Sequence, residues 1–327
     1  MKKCLIIYNL PAPNALPDEL DVLDQVKFAA ETLTELGISV TEKGLTEDFY
    51  DEISAIKDGN YDFVFNLAET TWKTAEILYF IPALLNMYKI PYSGSPVEAA
   101  FTTASKVLAK KIMTSNGVPV SKGYSPSKWG DMKTGTKYIM KTVWEDGSIG
   151  ITEESVFIFD GKRPEVLKGK DDEHWFVEEF IDGREFNVSV IAGPNGPEML
   201  PPAEMCFHNY PSDLPQIVSY KAKWEEDTFQ YDNSSRDFPE DLDPSLYARI
   251  NEIVLKCWDV FSLHGYARID MRVDRNNNVY VLEVNANPCL SPGSGFLAAC
   301  AKKGYSYKEV MTRIISDLNN KRDGNII

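Results

Sequence analysis

Residues 268–285 read RIDMRVDRNNNVYVLEVN, which is the pattern of two β-strands joined by a tight turn. Apolar and polar residues alternate in the first strand, and the polar positions include Arg268 and Asp270. Three consecutive asparagines then favour a turn. Because successive side chains point to opposite faces of a strand, pairing about the asparagines puts Asp270 opposite Glu283 and Arg268 opposite Asn285.

This pairing predicts a hairpin with one polar and one buried face. The buried face of the second strand would hold Tyr280, Leu282 and Val284. The polar face would hold two carboxylates, one amide and one guanidinium, and hard oxygen ligands in this grouping suit Mg²⁺. An exposed polar face on an edge hairpin is the alternative, and the alternation by itself leaves both open.

Size and charge limit the functions open to this chain. Its 327 residues are enough for two or three domains. The net charge of −15 argues against a nucleic acid or an anionic membrane surface as the main partner, although a local basic pocket remains compatible with it. No apolar run reaches the roughly 18 residues of a membrane span, which predicts a cytoplasmic protein. Five widely spaced cysteines indicate free thiols, and three scattered histidines give no pattern for zinc.

The pattern of elements changes along the chain. In residues 1–95, strands alternate with helices, which predicts a small open domain with a parallel sheet. Strand, glycine-loop and hairpin signals dominate residues 136–192 and indicate a compact α+β unit. Residues 193–244 form a looser segment rich in proline and charge. A helix over 245–263, the hairpin and a terminal helix over 306–319 complete the chain.

Phosphate-binding features lie upstream of the hairpin. Lys141 ends a predicted strand just before the loop Gly147-Ser-Ile-Gly150, and an ammonium followed by exposed backbone amides suits a phosphate. The chain has neither G-x-x-x-x-G-K-[ST] nor G-x-G-x-x-G, so this signal is weak alone. Lys106, in an amphipathic region, can also be read as a solvated lysine.

Two further segments carry polar groups with a possible chemical role. Residues 175–186 place acidic side chains in an apolar stretch, where they could accept from an adenine amino group and ribose hydroxyls, although an ordinary hinge strand fits equally. Residues 286–296 form a loop rich in Pro, Gly and Ser at a strand end, which offers backbone N–H groups to an anion.

Taken in order, these motifs resemble the ATP-grasp superfamily, and most closely its D-alanine–D-alanine ligase branch. The resemblance covers most of the chain. It is carried by Phe65-Asn-Leu, Ile90-Pro-Tyr-Ser-Gly-Ser95, Ser105-Lys106, Lys141 with Glu145-Asp-Gly-Ser-Ile-Gly150, Val177-Glu-Glu-Phe-Ile-Asp-Gly-Arg-Glu185, Ala222-Lys223, Arg268-Ile-Asp270 and Leu282-Glu-Val-Asn285.

The resemblance implies an α/β protein with the ATP-grasp fold and three domains. We expect an N-terminal substrate-side domain with an open parallel, Rossmann-like sheet over 1–100. A central ATP-grasp domain would span 101–190, and a C-terminal ATP-grasp domain with the metal site would span 191–327. ATP would lie between the last two domains.

The resemblance also implies roles for individual residues. The side chains expected to neutralise ATP phosphates are Lys106, Lys141 and Lys223, with Ser148 and its glycine loop closing over the γ-phosphate. The residues expected around adenine and ribose are Glu178, Glu179, Ile181 and Glu185. The ligands expected for one or two Mg²⁺ ions, or for Mn²⁺, are Asp270, Glu283 and Asn285. The groups expected on the reacting carboxylate and the substrates are Arg268, the amides near Cys289 and Leu290, and Ser294.

Departures from the family pattern cluster on the substrate side. Residues 9–14 replace a glycine-rich Gly-Gly-x-Ser segment, and 68–72 replace a His-Gly-x-x-Gly-Glu stretch. The phosphate loop reads Glu-Asp-Gly-Ser over 145–148 instead of Glu-Gly-Ser-Ser. Trp224 stands for a tyrosine and Cys289 for a glycine. Nucleotide and metal groups therefore match the family, whereas the pocket for the first D-alanine is rebuilt.

The resemblance implies a ligase that joins a small-molecule carboxylate to an amine through an acyl phosphate. Its substrates would be amino-acid-like but need not be two D-alanines. A genuine D-alanine–D-alanine ligase, a non-catalytic nucleotide-binding regulator and a small-molecule kinase on the same fold are the alternatives, and homodimerisation stays open.

Overall fold

The computed structural model describes residues 1–70 and 74–319, in which three β-sheets are flanked by helices. The N-terminal sheet is parallel, as the alternating pattern predicts, with the strand order β2-β1-β3. Its elements are β1 (Lys3–Asn9), α1 (Pro17–Glu35), β2 (Ser39–Leu45), α2 (Phe49–Ile56), β3 (Phe63–Asn66) and α3 (Phe80–Met87). Two helices, α4 (Val97–Ala104) and α5 (Lys106–Ser115), follow.

The second sheet is antiparallel and has the strand order β4-β7-β5-β6. Its strands are β4 (Gly123–Tyr124), β5 (Lys137–Thr142), β6 (Val156–Ile158) and β7 (Trp175–Glu179). The glycine loop over 146–150 connects β5 to β6, so it leaves the sheet beside Lys141.

The third sheet is the largest and has the order β11-β10-β8-β12-β13, with β9 paired to β8. Its strands are β8 (Gly183–Ile191), β9 (Glu198–Met199), β10 (Ala203–Phe207), β11 (Ser234–Asp237), β12 (Tyr266–Asp274) and β13 (Val279–Asn285). The accompanying helices are α6 (Tyr220–Trp224), α7 (Phe229–Asp232), α8 (Pro244–Val260), α9 (Gly295–Lys303) and α10 (Tyr307–Ser316).

The pairing predicted for the hairpin β12–β13 is confirmed. Asp270 lies opposite Glu283, and Arg268 lies opposite Asn285. The turn is closed by Asp274, whose N–H donates to the carbonyl of Asn278 at 2.9 Å. The polar face predicted from the alternation therefore exists as one surface.

The buried face of β13 differs from the prediction. We expected Tyr280 and Leu282 to be buried, but Val279 and Val281 are buried instead. The register steps by one extra residue between the pairs on either side of Leu282. A bulge of this kind moves every side chain beyond it to the opposite face, which the strict alternation could not anticipate.

The segment over 193–244 is more regular than the sequence suggested. It contains β9, β10 and β11, and β10 pairs with both β8 and β11. These strands are only two to five residues long, and prolines and charged residues separate them. Such short strands carry too little alternation to be recognised from sequence.

The sheets suggest domain limits that differ from those implied by the resemblance. The expected boundary at residue 190 falls at the end of β8, which pairs with β10 and β12. Ala109 and Met113 of α5 also share a buried core with the large sheet. We therefore propose a boundary near residue 182, with α4 and α5 packed on the C-terminal sheet.

No helix in the described part of the chain is long and apolar enough to cross a membrane.

Glu198 fastens the C-terminal helices to the large sheet. Its carboxylate accepts from the Tyr305 hydroxyl at 2.7 Å and from Arg313 Nη1 at 2.7 Å, and Lys303 Nζ lies 2.9 Å away. Burial alone would raise the pKa of Glu198, but these three donors lower it to about 2. The cluster therefore contributes stability as long as the carboxylate is ionised.

We expect Glu198→Gln to lower the free energy of unfolding at pH 7 by about 1–2 kcal/mol, because the variant loses charged hydrogen bonds. The folded-state pKa is depressed, so the difference from wild type should persist above pH 4.5 and vanish as pH falls towards 2. Urea unfolding across this range measures it. Glu35→Gln, in an exposed pair with Lys308, serves as the control. A difference that does not change with pH would contradict this assignment.

Candidate active site

One large cavity, of about 1510 Å³, is lined by every side chain that the sequence analysis expected in the site. It is bordered by all three sheets and by the loops at their ends. The nominated residues that line it are Lys106, Lys141, Ser148, Glu178, Glu179, Ile181, Glu185, Lys223, Arg268, Asp270, Glu283, Asn285 and Ser294.

The polar face of the hairpin forms one wall of this cavity. Arg268 Nε and Nη2 donate to the two carboxylate oxygens of Asp270, each at 2.7 Å. The Asn285 amide nitrogen donates to Asp270 Oδ2 at 3.2 Å and to Glu283 Oε1 at 3.4 Å. Leu282 lies on the same wall, because the bulge turns it away from the core. Two carboxylates, an amide and a guanidinium are thus joined in one hydrogen-bonded chain.

This wall fits a divalent cation that also binds phosphate. Asp270, Glu283 and Asn285 provide two carboxylates and an amide, and Mg²⁺ typically takes one or two carboxylates and completes its shell with substrate phosphates and water. Rotating the Asn285 amide by half a turn would present its oxygen, since the two ends are nearly isosteric. In residues 1–70 and 74–319, no three or more His, Cys, Asp or Glu side chains form a metal site by themselves.

Lys106 connects the metal wall to the glycine loop. Its Nζ donates to Asp146 Oδ1 at 2.9 Å and to the Glu145 carbonyl at 2.5 Å, and lies 3.6 Å from Glu283 Oε2. Burial lowers the pKa of Lys106, but Asp146 and Glu283 raise it above its usual value. For the acid Glu283, burial acts in the opposite direction and raises the pKa, but Lys106, Lys141 and Arg268 lower it to about 2. Both groups are therefore charged at neutral pH, and the solvated-lysine reading of Lys106 is wrong.

Glu178 borders the cavity, but its carboxylate is already engaged by cations. Its Oε1 lies 2.8 Å from Lys141 Nζ, and its Oε2 lies 2.7 Å from Lys110 Nζ and accepts from the Ser121 hydroxyl at 2.5 Å. Its side chain is only 1% exposed. Three of its roughly four acceptor positions are thus filled, which leaves little capacity for the adenine contact expected from the resemblance.

The turn between β7 and β8 is fixed by Arg272, to which the sequence patterns assigned no functional role. Arg272 Nη1 donates to the Ile181 carbonyl at 3.0 Å and Nη2 donates to the Gln216 carbonyl at 2.5 Å. Its Nε lies 3.3 Å from Glu185 Oε2. Glu179, at the end of β7, accepts from Tyr124 at 3.4 Å. The alternation of Arg268, Asp270 and Arg272 on one face was the available signal for Arg272.

The glycine loop is tied to the segment that carries α6. The Ser148 hydroxyl donates to the Val218 carbonyl at 2.7 Å, and Trp224 Nε1 donates to the Gly147 carbonyl at 2.9 Å. Gly147 and Ser148 both have φ of +67°, a conformation that favours glycine, so the loop has a specific shape. Lys223 lies beside it, and burial together with Arg268 lowers the pKa of this lysine.

We expect Trp224→Phe to raise the KM for ATP about 3–10-fold, because the loop loses a hydrogen bond worth ~1 kcal/mol. The measurement is steady-state turnover at varied ATP concentration. Trp144→Phe is the matched control, since that indole also donates to a carbonyl, of Glu173 at 3.1 Å, but does not line the cavity. An ATP KM unchanged in Trp224→Phe would show that the bond does not order the loop.

The substrate-side loop after β13 is only partly available for a reacting group. The Leu290 N–H, which we expected to face an oxyanion, already donates to Gln25 Oε1 at 3.0 Å. That expectation does not hold for Leu290. Ser294 caps α9, where its hydroxyl accepts from the Leu297 N–H at 3.4 Å. Arg236 lines the cavity next to it and donates to the Gly293 carbonyl at 3.1 Å.

A second polar network, which no pattern in the sequence indicated, borders the cavity around Cys289. Gln25 Nε2 donates to Glu69 Oε1 at 2.8 Å and to Asp21 Oδ2 at 3.3 Å, and the Cys289 thiol donates to the same Asp21 oxygen at 2.9 Å. Burial raises the pKa of Glu69 to about 7 and that of the Cys289 thiol to about 12. Cys289 is therefore a neutral donor at pH 7. Trp72, one of the departures noted above, lies outside the described residues.

Comparison with known proteins places this chain in a family. The family model for the D-ala D-ala ligase C-terminus matches residues 138–316, more than half of the chain. The chain belongs to this family. The match contains the glycine loop, the second sheet from β5 onward, the third sheet and the whole polar face of the hairpin. It confirms the ATP-grasp resemblance and the α/β fold class.

Individual proteins are similar to this chain over a longer stretch than the family model covers. An uncharacterized protein, y4sG, from Sinorhizobium fredii is 28% identical over 267 residues, covering 80% of this chain and 76% of that protein. A D-alanine–D-alanine ligase from Pseudoalteromonas translucida is 28% identical over 249 residues, covering 72% and 74%. The solved D-alanine–D-alanine ligase from Bacillus anthracis complexed with ATP has a TM-score of 0.72 at 18% identity, covering 97% of each chain.

Within the family, the departures of this chain coincide with the polar network at the substrate end. Cys289 and Glu69 stand at two of the diverged positions, and both belong to the network that includes Gln25. The hairpin and Lys141 lie within the residues that the family model matches.

Proposed function

We propose that this protein is an ATP- and Mg²⁺-dependent ligase that joins a carboxylate to an amine. The observation that carries the proposal is the Arg268–Asp270 pair lying beside Glu283, on a cavity also lined by Lys106, Lys141 and Lys223. Binding a nucleotide alone would not need a guanidinium held next to the carboxylates. The names of the curated relatives support the same reaction class.

The proposed reaction has two steps whose atoms balance. A carboxylate oxygen of the first substrate attacks the γ-phosphorus of ATP, which breaks the bond to the β-phosphate oxygen and gives ADP and an acyl phosphate. The amine of the second substrate then attacks the acyl carbon, loses a proton and expels phosphate. Phosphorylation supplies the leaving group that a carboxylate lacks, so the protein mainly positions the reactants and neutralises charge.

At the nucleotide end, the lysines act on the phosphates. Lys106, Lys141 and Lys223 supply three ammonium groups to one cavity, and the loop at Ser148 covers the transferred group. Mg²⁺ bound by the hairpin would neutralise charge on the transferring phosphoryl group. The base and ribose would lie at the turn that Arg272 fixes, with Glu185 as an acceptor.

At the substrate end, Arg268 has donors left for the developing oxyanion, because Asp270 occupies only its Nε and one Nη2 hydrogen. Ser294, with Arg236 beside it, would receive a carboxylate of the amine substrate. Glu69 and Cys289 reshape the opposite side of the pocket, so we propose a first substrate that is amino-acid-like but different from D-alanine.

The test is to incubate the protein with ATP, Mg²⁺ and a panel of amino acids and small carboxylates, followed by phosphate assay and mass spectrometry. Phosphate and a new amide in equal amounts are the expected result. No turnover across a broad panel would contradict the proposal.

A genuine D-alanine–D-alanine ligase is the second candidate, because several curated relatives carry that name. D-alanine as sole substrate separates it from the first: efficient formation of D-alanyl-D-alanine would favour it. A stable phosphorylated product without free phosphate would instead indicate a kinase, and ATP binding without any product would indicate a regulator.

A further inference from the structure

Lys110 is a buried cation next to the active site that the proposed chemistry does not use. It lies one turn after Lys106 on α5, so the two ammonium groups leave the same side of the helix. Unlike Lys106, it does not line the cavity. Its Nζ lies 2.7 Å from Glu178 Oε2 and 3.3 Å from the Val281 carbonyl of β13. Lys110 therefore contacts the second sheet through Glu178 and the third sheet through Val281, but it does not reach the cavity.

The carboxylate of Glu178 is shared between two lysines. Oε2 faces Lys110 and Ser121, which are both buried, whereas Oε1 faces Lys141, which does line the cavity. Burial alone would raise the pKa of Glu178, but Lys110 and Lys141 lower it to about 2. Two lysines thus share one carboxylate, and Lys141 is the one on the cavity side.

We propose that Lys110 is a positioning residue for ATP binding, acting through Glu178 on Lys141. This role rests on the proposed function, in which Lys141 contacts the phosphates. With Lys110 present, one oxygen of Glu178 is held at the buried end and only the other holds Lys141. Without Lys110, only the neutral Ser121 hydroxyl holds that oxygen, and Lys141 becomes the one lysine paired with the carboxylate. Lys141 is then drawn inward, so its attraction for phosphate weakens.

A purely structural role would not need an ion pair at this place. Buried pairs can often be replaced by apolar residues of similar size with little loss of stability, whereas their geometry fixes how the partner groups lie. Methionine is close to lysine in length, so Lys110→Met tests the charge with little change in packing. Lys111, the exposed next residue of the same helix, provides the matched control.

The experiment measures Mg²⁺-ATP binding by calorimetry and turnover with the substrates found in the panel. We expect Lys110→Met to weaken ATP binding about 10–100-fold, by analogy with the loss of partners that orient metal ligands, with a much smaller change in kcat. Lys111→Met should match wild type, and Lys110→Arg should recover part of the affinity. ATP binding by Lys110→Met equal to wild type would overturn the proposal.

A double variant shows whether Lys110 acts through Glu178. If it does, Glu178→Gln and Glu178→Gln/Lys110→Met should bind ATP with nearly equal affinity, because the carboxylate that Lys110 holds is gone. If Lys110→Met weakens ATP binding by the same factor in the Glu178→Gln background as in wild type, the proposal is overturned. This pair also carries the test if Lys110→Met does not fold. A wild-type protein that binds no ATP would refute the proposed function itself, whereas equal binding by wild type and Lys110→Met refutes only this role.

Discussion

Glu283→Ala is expected to reduce Mg²⁺-dependent turnover by more than about 100-fold. Losing a metal ligand should lower activity at least as much as losing a residue that hydrogen-bonds to such a ligand. ATP binding without metal should change little. Glu283 also lies 3.6 Å from Lys106, but that ammonium keeps its closer bonds to Asp146 and the Glu145 carbonyl when Glu283 is removed, so its position beside the cavity should change little. A loss of turnover with retained nucleotide binding would therefore point to the metal.

The measurement is kcat against Mg²⁺ concentration, with metal-free ATP binding followed by calorimetry. Glu283→Gln removes the charge with the same shape and should behave like the alanine variant. Glu252→Ala, an exposed acid on α8, is the control for general charge effects. Turnover like wild type in Glu283→Ala would refute the metal assignment of this residue.

Arg268→Met is expected to lower kcat by about 10²–10³-fold, which is the typical cost of removing one donor to a developing oxyanion. The KM for ATP should change far less, because Arg268 acts on the carboxylate being converted and not on the nucleotide. Steady-state kinetics with saturating ATP separates the two parameters.

Two further variants serve as controls, one for the charge beside Asp270 and one for the general effect of replacing an arginine near the hairpin. Arg268→Lys keeps a positive charge near Asp270 but loses the bidentate geometry, so its kcat should lie between wild type and Arg268→Met. Arg249→Met changes an exposed arginine that donates to the Asn277 carbonyl at the turn of the same hairpin, and it should be active. Equal kcat in Arg268→Met and wild type would exclude an oxyanion role.

Local patterns in the sequence were enough to predict the hairpin and its neighbours. Alternation in β12 and the asparagine turn correctly indicated that Asp270 faces Glu283, although this pairing is reached through the bulge, because the pairs next to the turn are offset by one residue. The loop after Lys141 could also be located, because Gly147 and Gly150 have the positive φ that glycine permits. These features depend on residues close together in the chain.

The rest depends on contacts between distant segments or on irregular geometry. The bulge at Leu282 has no glycine or proline to mark it, yet it reverses the predicted faces of β13. Gln25 accepts a hydrogen bond from Leu290, which is 265 positions away in the chain. Lys110 of α5 pairs with Glu178 of β7, a strand from another part of the chain. No periodicity within either segment could reveal such pairs, because the folded chain alone brings them together.

The most direct test of the ligase proposal follows oxygen from the carboxylate substrate. With ¹⁸O in the carboxylate of the active pair, attack on ATP transfers one labelled oxygen to phosphorus, and the amine then expels it as inorganic phosphate. The account predicts one ¹⁸O in each phosphate released, together with an amide that keeps the other. Unlabelled phosphate, or label retained in a stable phosphorylated product, would contradict it.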